Sequence, residues 1–179
     1  MSKKLEDVVI TSALRTPIGT YKGSLKDLSA DKLGSLAIKE VIHKSNLKSE
    51  QIDEVIMGHV LTSGLGQNPA RQASIHAGIP VSKPAYIINQ VCGSGLRSIV
   101  LGFQSIKLEE SKIIVSGGQE NMSRAPHSLF YRENKKLDES KLVDTMIKDG
   151  LTDSFNHYHM GVTAENIAEK FEISRDEQD

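Results

Sequence analysis

The sequence predicts an α/β fold, a layer of short and largely parallel strands alternating with helices. Four short apolar runs have strand length: Val8–Ile10, Val55–Met57, Tyr86–Ile88 and Ile113–Val115. Each pair of consecutive runs is separated by a segment with helix signals, and that alternation is the mark of a parallel sheet. No internal repeat interrupts the pattern.

Taken in order, the first run leads into Arg15-Thr16-Pro17-Ile18-Gly19, where Pro17 and Gly19 signal a loop. Arg15 is read as a loop residue that satisfies backbone carbonyls. Ser29 then caps a helix with Asp31 in its first turn and an apolar stripe at Leu33, Leu36, Ala37 and Val41, ending near Asn46. His59, directly after the second run, is read as structural. Gly64 and Gly66 make a flexible loop, and Asn68-Pro69 starts the next helix with a cap and a first-turn proline. These glycines form no phosphate loop, because no Gly-Lys-Ser/Thr follows, and Gly93-Ser94-Gly95 lacks the spaced third glycine of a dinucleotide site.

The third run is followed by Val91-Cys92-Gly93-Ser94-Gly95 and then by Leu96, Ile99, Val100 and Phe103 at helical spacing. The single cysteine therefore falls on a sharp strand-to-helix turn, where Gly93 and Gly95 tolerate backbone angles that other residues resist. A helix N-terminus carries unpaired N–H groups and partial positive charge, which favour a thiolate nucleophile and can hold an oxyanion. The same residue can equally be a small buried hydrophobe. Beyond the fourth run, residues 123–148 are polar, with a weak helical signal over Leu142–Ile147. Val162–Phe171 reads as an amphipathic helix with Ala164, Ile167, Ala168 and Phe171 on one side, and Ser174 caps another helix start.

Composition limits the function classes. A net charge of −1 gives no electrostatic case for nucleic acid or anionic membrane, and no apolar run has the length of a membrane span. One cysteine excludes an internal disulfide and suits a reducing compartment. The start, MSKKLEDVVI, has no signal-peptide apolar core, so a cytoplasmic location is expected.

Several of these stretches resemble the thiolases, enzymes that make or cleave 3-oxoacyl-CoA thioesters. Asn-Gln-Val-Cys-Gly-Ser-Gly-Leu-Arg-Ser-Ile (89–99) is similar to their nucleophile motif. Arg15-Thr16-Pro17, Gly-Gln-Asn-Pro-Ala-Arg-Gln-Ala (66–73), Gly-Gly-Gln-Glu-Asn-Met-Ser (117–123) and residues 150–170 are similar to further family segments, so the resemblance spans essentially the whole chain.

The resemblance implies an α/β thiolase-like N-terminal half, with a mixed, mainly parallel sheet and helices on both faces, plus an incomplete loop domain. It divides the chain into residues 1–119, the layer carrying the nucleophile, and residues 120–179, the inserted loop domain and the start of a second half. Cys92 inherits the role of catalytic nucleophile, taking the acyl group as a thioester. Leu151 and His159 would touch the CoA moiety and Met160 would line the acyl pocket. Arg71 and Gln72 are interface or packing residues. Arg124, Arg132, Lys135 and Lys136 are read as solvated surface, with a place near CoA phosphates as the alternative.

No cofactor or metal is expected, coenzyme A thioesters being the substrates. The implied activity is condensation of two acetyl-CoA to acetoacetyl-CoA or the reverse. Residues 145–153 are most similar to biosynthetic members, with a degradative long-chain type as the alternative. The family's second half supplies a Gly-His-Pro histidine and a second cysteine. This sequence has one cysteine and no Gly-His-Pro, so the chain alone is expected to be inactive. A homo-oligomer or a separately encoded C-terminal half is the expected partner. The alternative is a non-catalytic remnant or assembly module.

Overall fold

The computed structural model describes residues 7–132 and 138–179. The chain divides into two compact units, residues up to Ala125 and Pro126–Asp179. Lys135 and Lys136 lie outside the described residues.

The first unit is built on three parallel strands, β1 (Glu54–Gly58), β2 (Ala85–Ile88) and β3 (Ile114–Gly118), in the order β2-β1-β3. Val55 pairs with Ala85 on one side and Val115 on the other. The helices are α1 (Ala30–Lys44), α2 (Pro69–His76) and α3 (Ser94–Lys107). β1 is the central strand and its side chains alternate between the faces, as the pleat requires. Val55 and Met57 point to one face and join Ile38 and Ile42 of α1, Ala70 and Ala73 of α2, and Val115 in one buried cluster. Val55 and Ile56 are wholly inaccessible, and burying such a side chain contributes about 1.5–3 kcal/mol. On the opposite face α3 packs on β1 and β3.

Three expectations change in detail. Val8–Ile10 forms no ladder; it runs beside the sheet, across an apolar cleft of about 450 Å3 also lined by Phe103, Ile106 and Ile114. A strand needs a neighbour for its backbone groups, and here the cleft separates this segment from β3. In α1 the buried positions are Ala30, Asp31, Gly34, Ile38 and Ile42, the last three one step around from the expected stripe, and Leu36 is exposed. In α3 the expected apolar stripe faces outward: Leu96 is 70% exposed and Phe103 47%, while Ser94, Ser98 and Gly102 are the buried residues. The physical reason is close approach. A Cβ at Gly102 would lie 2.6 Å from Ser116 Oγ, and the Ser98 hydroxyl donates to the Gly117 carbonyl at 2.7 Å. Small residues bring the helix onto the sheet, so the large apolar ones point away from it.

Two polar clasps fix the strand ends. At the entrance, Asp53 Oδ2 accepts the Lys112 and Ile113 N–H groups at 2.8 and 3.0 Å. At the exit, Glu120 Oε2 accepts the Val60 and Leu61 N–H groups at 2.9 and 3.3 Å, and its Oε1 lies 3.3 Å from Nε2 of the buried His59. Asn121 Nδ2 donates to the carbonyls of Leu25, Lys26 and Leu28, tying the exit of β3 to the turn before α1.

The second unit holds a short antiparallel pair, β4 (His127–Ser128) with β5 (Val143–Asp144). A π-helical turn at Met146–Leu151 follows, then α4 (Met160–Lys170) and α5 (Arg175–Gln178). Ser174 caps α5 in a reciprocal arrangement with Glu177. No residue of α4 is fully buried, and Ile167 and Phe171 of its apolar side are exposed. No helix among the described residues is long and apolar enough to cross a membrane.

The Asp53 clasp predicts an acid limb in stability. The Lys112 N–H, then the Ile113 N–H, and with them Lys83 hold this carboxyl below its ordinary value, against a smaller opposing effect of burial. A lowered folded-state pKa stabilises above the unfolded value of about 3.9, and that stability fades as pH falls through the folded value. Asp53→Asn should cost about 1 kcal/mol at neutral pH, given partial exposure, and flatten the unfolding profile below about pH 4. Urea melts from pH 2.5 to 7 check this. The outward stripe of α3 predicts a second behaviour: the chain binds a hydrophobic dye or self-associates, and Leu96→Glu with Phe103→Lys lowers both. Dye fluorescence and sedimentation velocity measure it.

Candidate active site

The candidate nucleophile stands where β2 hands over to α3. β2 ends at Ile88 and α3 begins at Ser94, so Cys92 occupies the short turn between them, two residues ahead of the helix. Cys92 is exposed and free. In this chain Cys92 is therefore not a buried hydrophobe.

The turn is closed by bonds from its own residues. The Gly93 N–H donates to the Gln90 carbonyl and the Ser94 N–H to the Val91 carbonyl, both at 3.1 Å. The Ser94 hydroxyl accepts from the Gln90 N–H at 2.8 Å and donates to the Val91 carbonyl at 2.6 Å. Asn89 Oδ1 accepts the Val91 N–H at 2.9 Å. The unusual backbone angle belongs to Val91, with φ of +48°, and not to the flanking glycine Gly93, whose φ is −81°. A β-branched residue in the left-handed region costs about 1–3 kcal/mol.

The helix start, two residues past Cys92, carries backbone donors. Its first internal bond runs from the Arg97 N–H to the Gly93 carbonyl, so the Gly95 and Leu96 N–H groups precede the ladder. The helix start is held against the sheet at Gly58, where a Cβ would collide with the Ser94 backbone and the Gly95 nitrogen. The arrangement joins an exposed cysteine to a helix N-terminus, suited to covalent attack on a carbonyl.

The other motif residues have structural work of their own. Asn68 caps α2 by accepting the Arg71 N–H at 3.1 Å. Arg71 donates to the Val81 and Lys83 carbonyls, and Gln72 to those of Leu65 and Gln67 at 2.7 and 2.8 Å, so both pin loops of their own unit. Arg15 donates to the Thr16 carbonyl at 3.1 Å. His59 is buried, with Nδ1 3.3 Å from Gln119 Nε2, as a structural histidine should be.

Within the second unit, Leu151, His159 and Met160 lie close along the chain on one loop-helix junction. Leu151 ends the π-helical turn, and a bridge between Thr152 and His159 closes the loop. The loop is braced at Asp153, whose carboxylate accepts the Phe155 N–H at 3.1 Å and the Asn156 N–H at 2.5 Å. The Asn156 N–H and then the Phe155 N–H hold that carboxyl below the usual aspartate value. His159 caps α4, its Nδ1 accepting the Gly161 N–H at 2.9 Å. In the neutral ring the proton is therefore on Nε2, and the exposed side chain can present it as a donor. Met160 is half-buried at the first position of α4.

Sequence reasoning missed Asn89 and Ser94, the residues whose side chains bind Val91. A signal was present: Asn and Ser both favour local side-chain-to-backbone bonds in turns.

Comparison with known proteins identifies the family. The thiolase N-terminal domain family matches residues 8–179. An acetyl-CoA acetyltransferase of Pseudomonas aeruginosa is 52% identical over 98% of this chain and 45% of its own length. A cytosolic acetyl-CoA acetyltransferase of Rattus norvegicus is 50% identical over 100% of this chain and 45% of its own. A probable acetyl-CoA acetyltransferase of Escherichia coli is 53% identical over 98% of this chain and 45% of its own. The chain spans a little under half the length of these relatives. With its parallel sheet, its strand-to-helix cysteine turn and this match along nearly all its residues, the chain belongs to the thiolase family, as a thiolase N-terminal domain.

Proposed function

We propose that this chain carries the nucleophile of a thiolase-type acyltransferase acting on acetyl-CoA and acetoacetyl-CoA. The observation that supports the reading most is the exposed Cys92 at the start of α3. The names of the relatives support the substrate class, and the word cytosolic in the rat relative's name supports a cytoplasmic site of action.

In this reading the Cys92 sulfur attacks the thioester carbonyl of an acyl-CoA. The tetrahedral oxyanion is held by N–H groups at the turn, that of Cys92 among them, and collapses by breaking the bond to the CoA sulfur, which leaves and takes up a proton. The acyl group then rests on Cys92 as a thioester. A second acetyl-CoA, deprotonated at its α-carbon, attacks that thioester and releases Cys92. His159 donates from Nε2 to the CoA moiety, Leu151 packs on it, and Met160 gives the acyl group a soft, adaptable wall. The base for α-deprotonation comes from outside this sequence, in a C-terminal half on the same or a separate chain, and the assembly is an oligomer.

Acetoacetyl-CoA thiolysis tests the reading. Removing one general acid or base typically costs ~10²–10⁴ in rate, so the chain alone should show no turnover above background. Co-expression with the C-terminal half of a related acetyl-CoA acetyltransferase should restore activity, and Cys92→Ala should abolish it. Activity that survives Cys92→Ala, or no activity in any combination of folded halves, would favour an assembly module over an enzyme.

A further inference from the structure

We propose that Asn89 and Ser94 are positioning residues that hold Val91 left-handed, and that this turn presents the Cys92 thiol at the start of α3. The inference rests on reading Cys92 as the nucleophile.

Seven non-glycine residues among those described have positive φ. Asn46, Glu109 and Glu172 each lie two residues past the last residue of a helix, where a left-handed residue commonly ends the helix. Asn68 caps α2, and Lys22 and His157 lie in turns or loops. Val91 is the β-branched member of the set and lies between a strand and a helix start. No helix ending accounts for its backbone. Burial does not hold it either, because the residue is 49% exposed.

What remains is hydrogen bonding, and it acts on both sides of the residue. The peptide preceding Val91 is tied through the Val91 N–H to Asn89 Oδ1 at 2.9 Å. The peptide following it is tied through the Val91 carbonyl to the Ser94 hydroxyl at 2.6 Å, and backbone bonds add to both, the Gly93 N–H donating to the Gln90 carbonyl and the Ser94 N–H to the Val91 carbonyl at 3.1 Å. Fixing the two peptide planes around one Cα fixes φ and ψ. The Ser94 hydroxyl is 3% exposed at the residue level and is used as both donor and acceptor, since it also accepts the Gln90 N–H at 2.8 Å. Cys92 is the next residue along, so the angle at Val91 sets where its side chain emerges. Strain held in this way at a reactive residue is a form of pre-organisation.

The test is the rate of Cys92 alkylation by iodoacetamide on the whole chain at one pH, beside a urea melt of each variant. Ser94→Ala and Asn89→Ala should each slow alkylation by about 10-fold, as a misplaced reactive group does. Asn89→Asp keeps the acceptor oxygen and should stay within about 3-fold of the parent. The double variant Ser94→Ala/Val91→Gly should regain most of the rate lost in Ser94→Ala, because glycine enters the left-handed region without the clamp. A merely structural role for Ser94 predicts no such rescue. Unchanged or faster alkylation in both alanine variants, or a double variant as slow as Ser94→Ala, would overturn the proposal. Should Ser94→Ala fail to fold, the exposed Asn89 pair decides it: loss with alanine and retention with aspartate support it, and any other pattern refutes it. Alkylation needs no coenzyme A, so clamp dependence without acyl transfer would remove the functional reading and leave this one standing.

Discussion

The contact on which the site depends is the meeting of α3 with the end of β1 at Gly58. A single methyl group there would run into the Ser94 backbone and the Gly95 nitrogen. Its absence lets the first turn of the helix settle on the C-terminal edge of the sheet. Two further features extend the close approach along the helix, the Ser98 bond to the Gly117 carbonyl and the gap that Gly102 leaves for Ser116 and Ile114. Because the helix start is fixed, the turn that joins it to β2 has little freedom, and Cys92 is held at the open edge of the layer.

That same contact explains the outward face of α3. A helix that touches its sheet through serine and glycine has its larger residues to spare, and Leu96, Ile99, Val100 and Phe103 form an exposed stripe. A contiguous apolar face of this kind marks an interaction surface in soluble proteins. The cleft beside it, bounded by residues 8–14 and by β3, is apolar too.

Much of this was legible in the sequence because it is written in local patterns. The runs at Val55, Tyr86 and Ile113 became strands, and Asn68-Pro69 and Ser174 mark real helix starts. The cysteine turn was legible as well, since a strand pattern stops at Ile88 and a helical one starts within a few residues. Tertiary relations were not legible. Helical spacing located α3 but could not say which of its faces meets the sheet, because apolarity and burial part company when small residues make the contact. Val8–Ile10 has the composition of a strand, yet a strand exists only where a neighbour pairs with it. Residue type points to the glycines for a left-handed position, whereas the structure has it at Val91, whose N–H and carbonyl are bonded to the Asn89 and Ser94 side chains. His159 was not legible as a cap, yet its Nδ1 accepts the Gly161 N–H at the start of α4.

The most direct test of the account is the covalent one. The chain would be assembled with the C-terminal half of a related acetyl-CoA acetyltransferase, mixed with acetyl-CoA, quenched in acid within a turnover and digested for mass spectrometry. The account predicts a single acetyl group on the peptide that contains Cys92, lost on treatment with hydroxylamine as a thioester should be. Turnover with no acetyl group on Cys92, or with the acetyl group on another side chain, would contradict it.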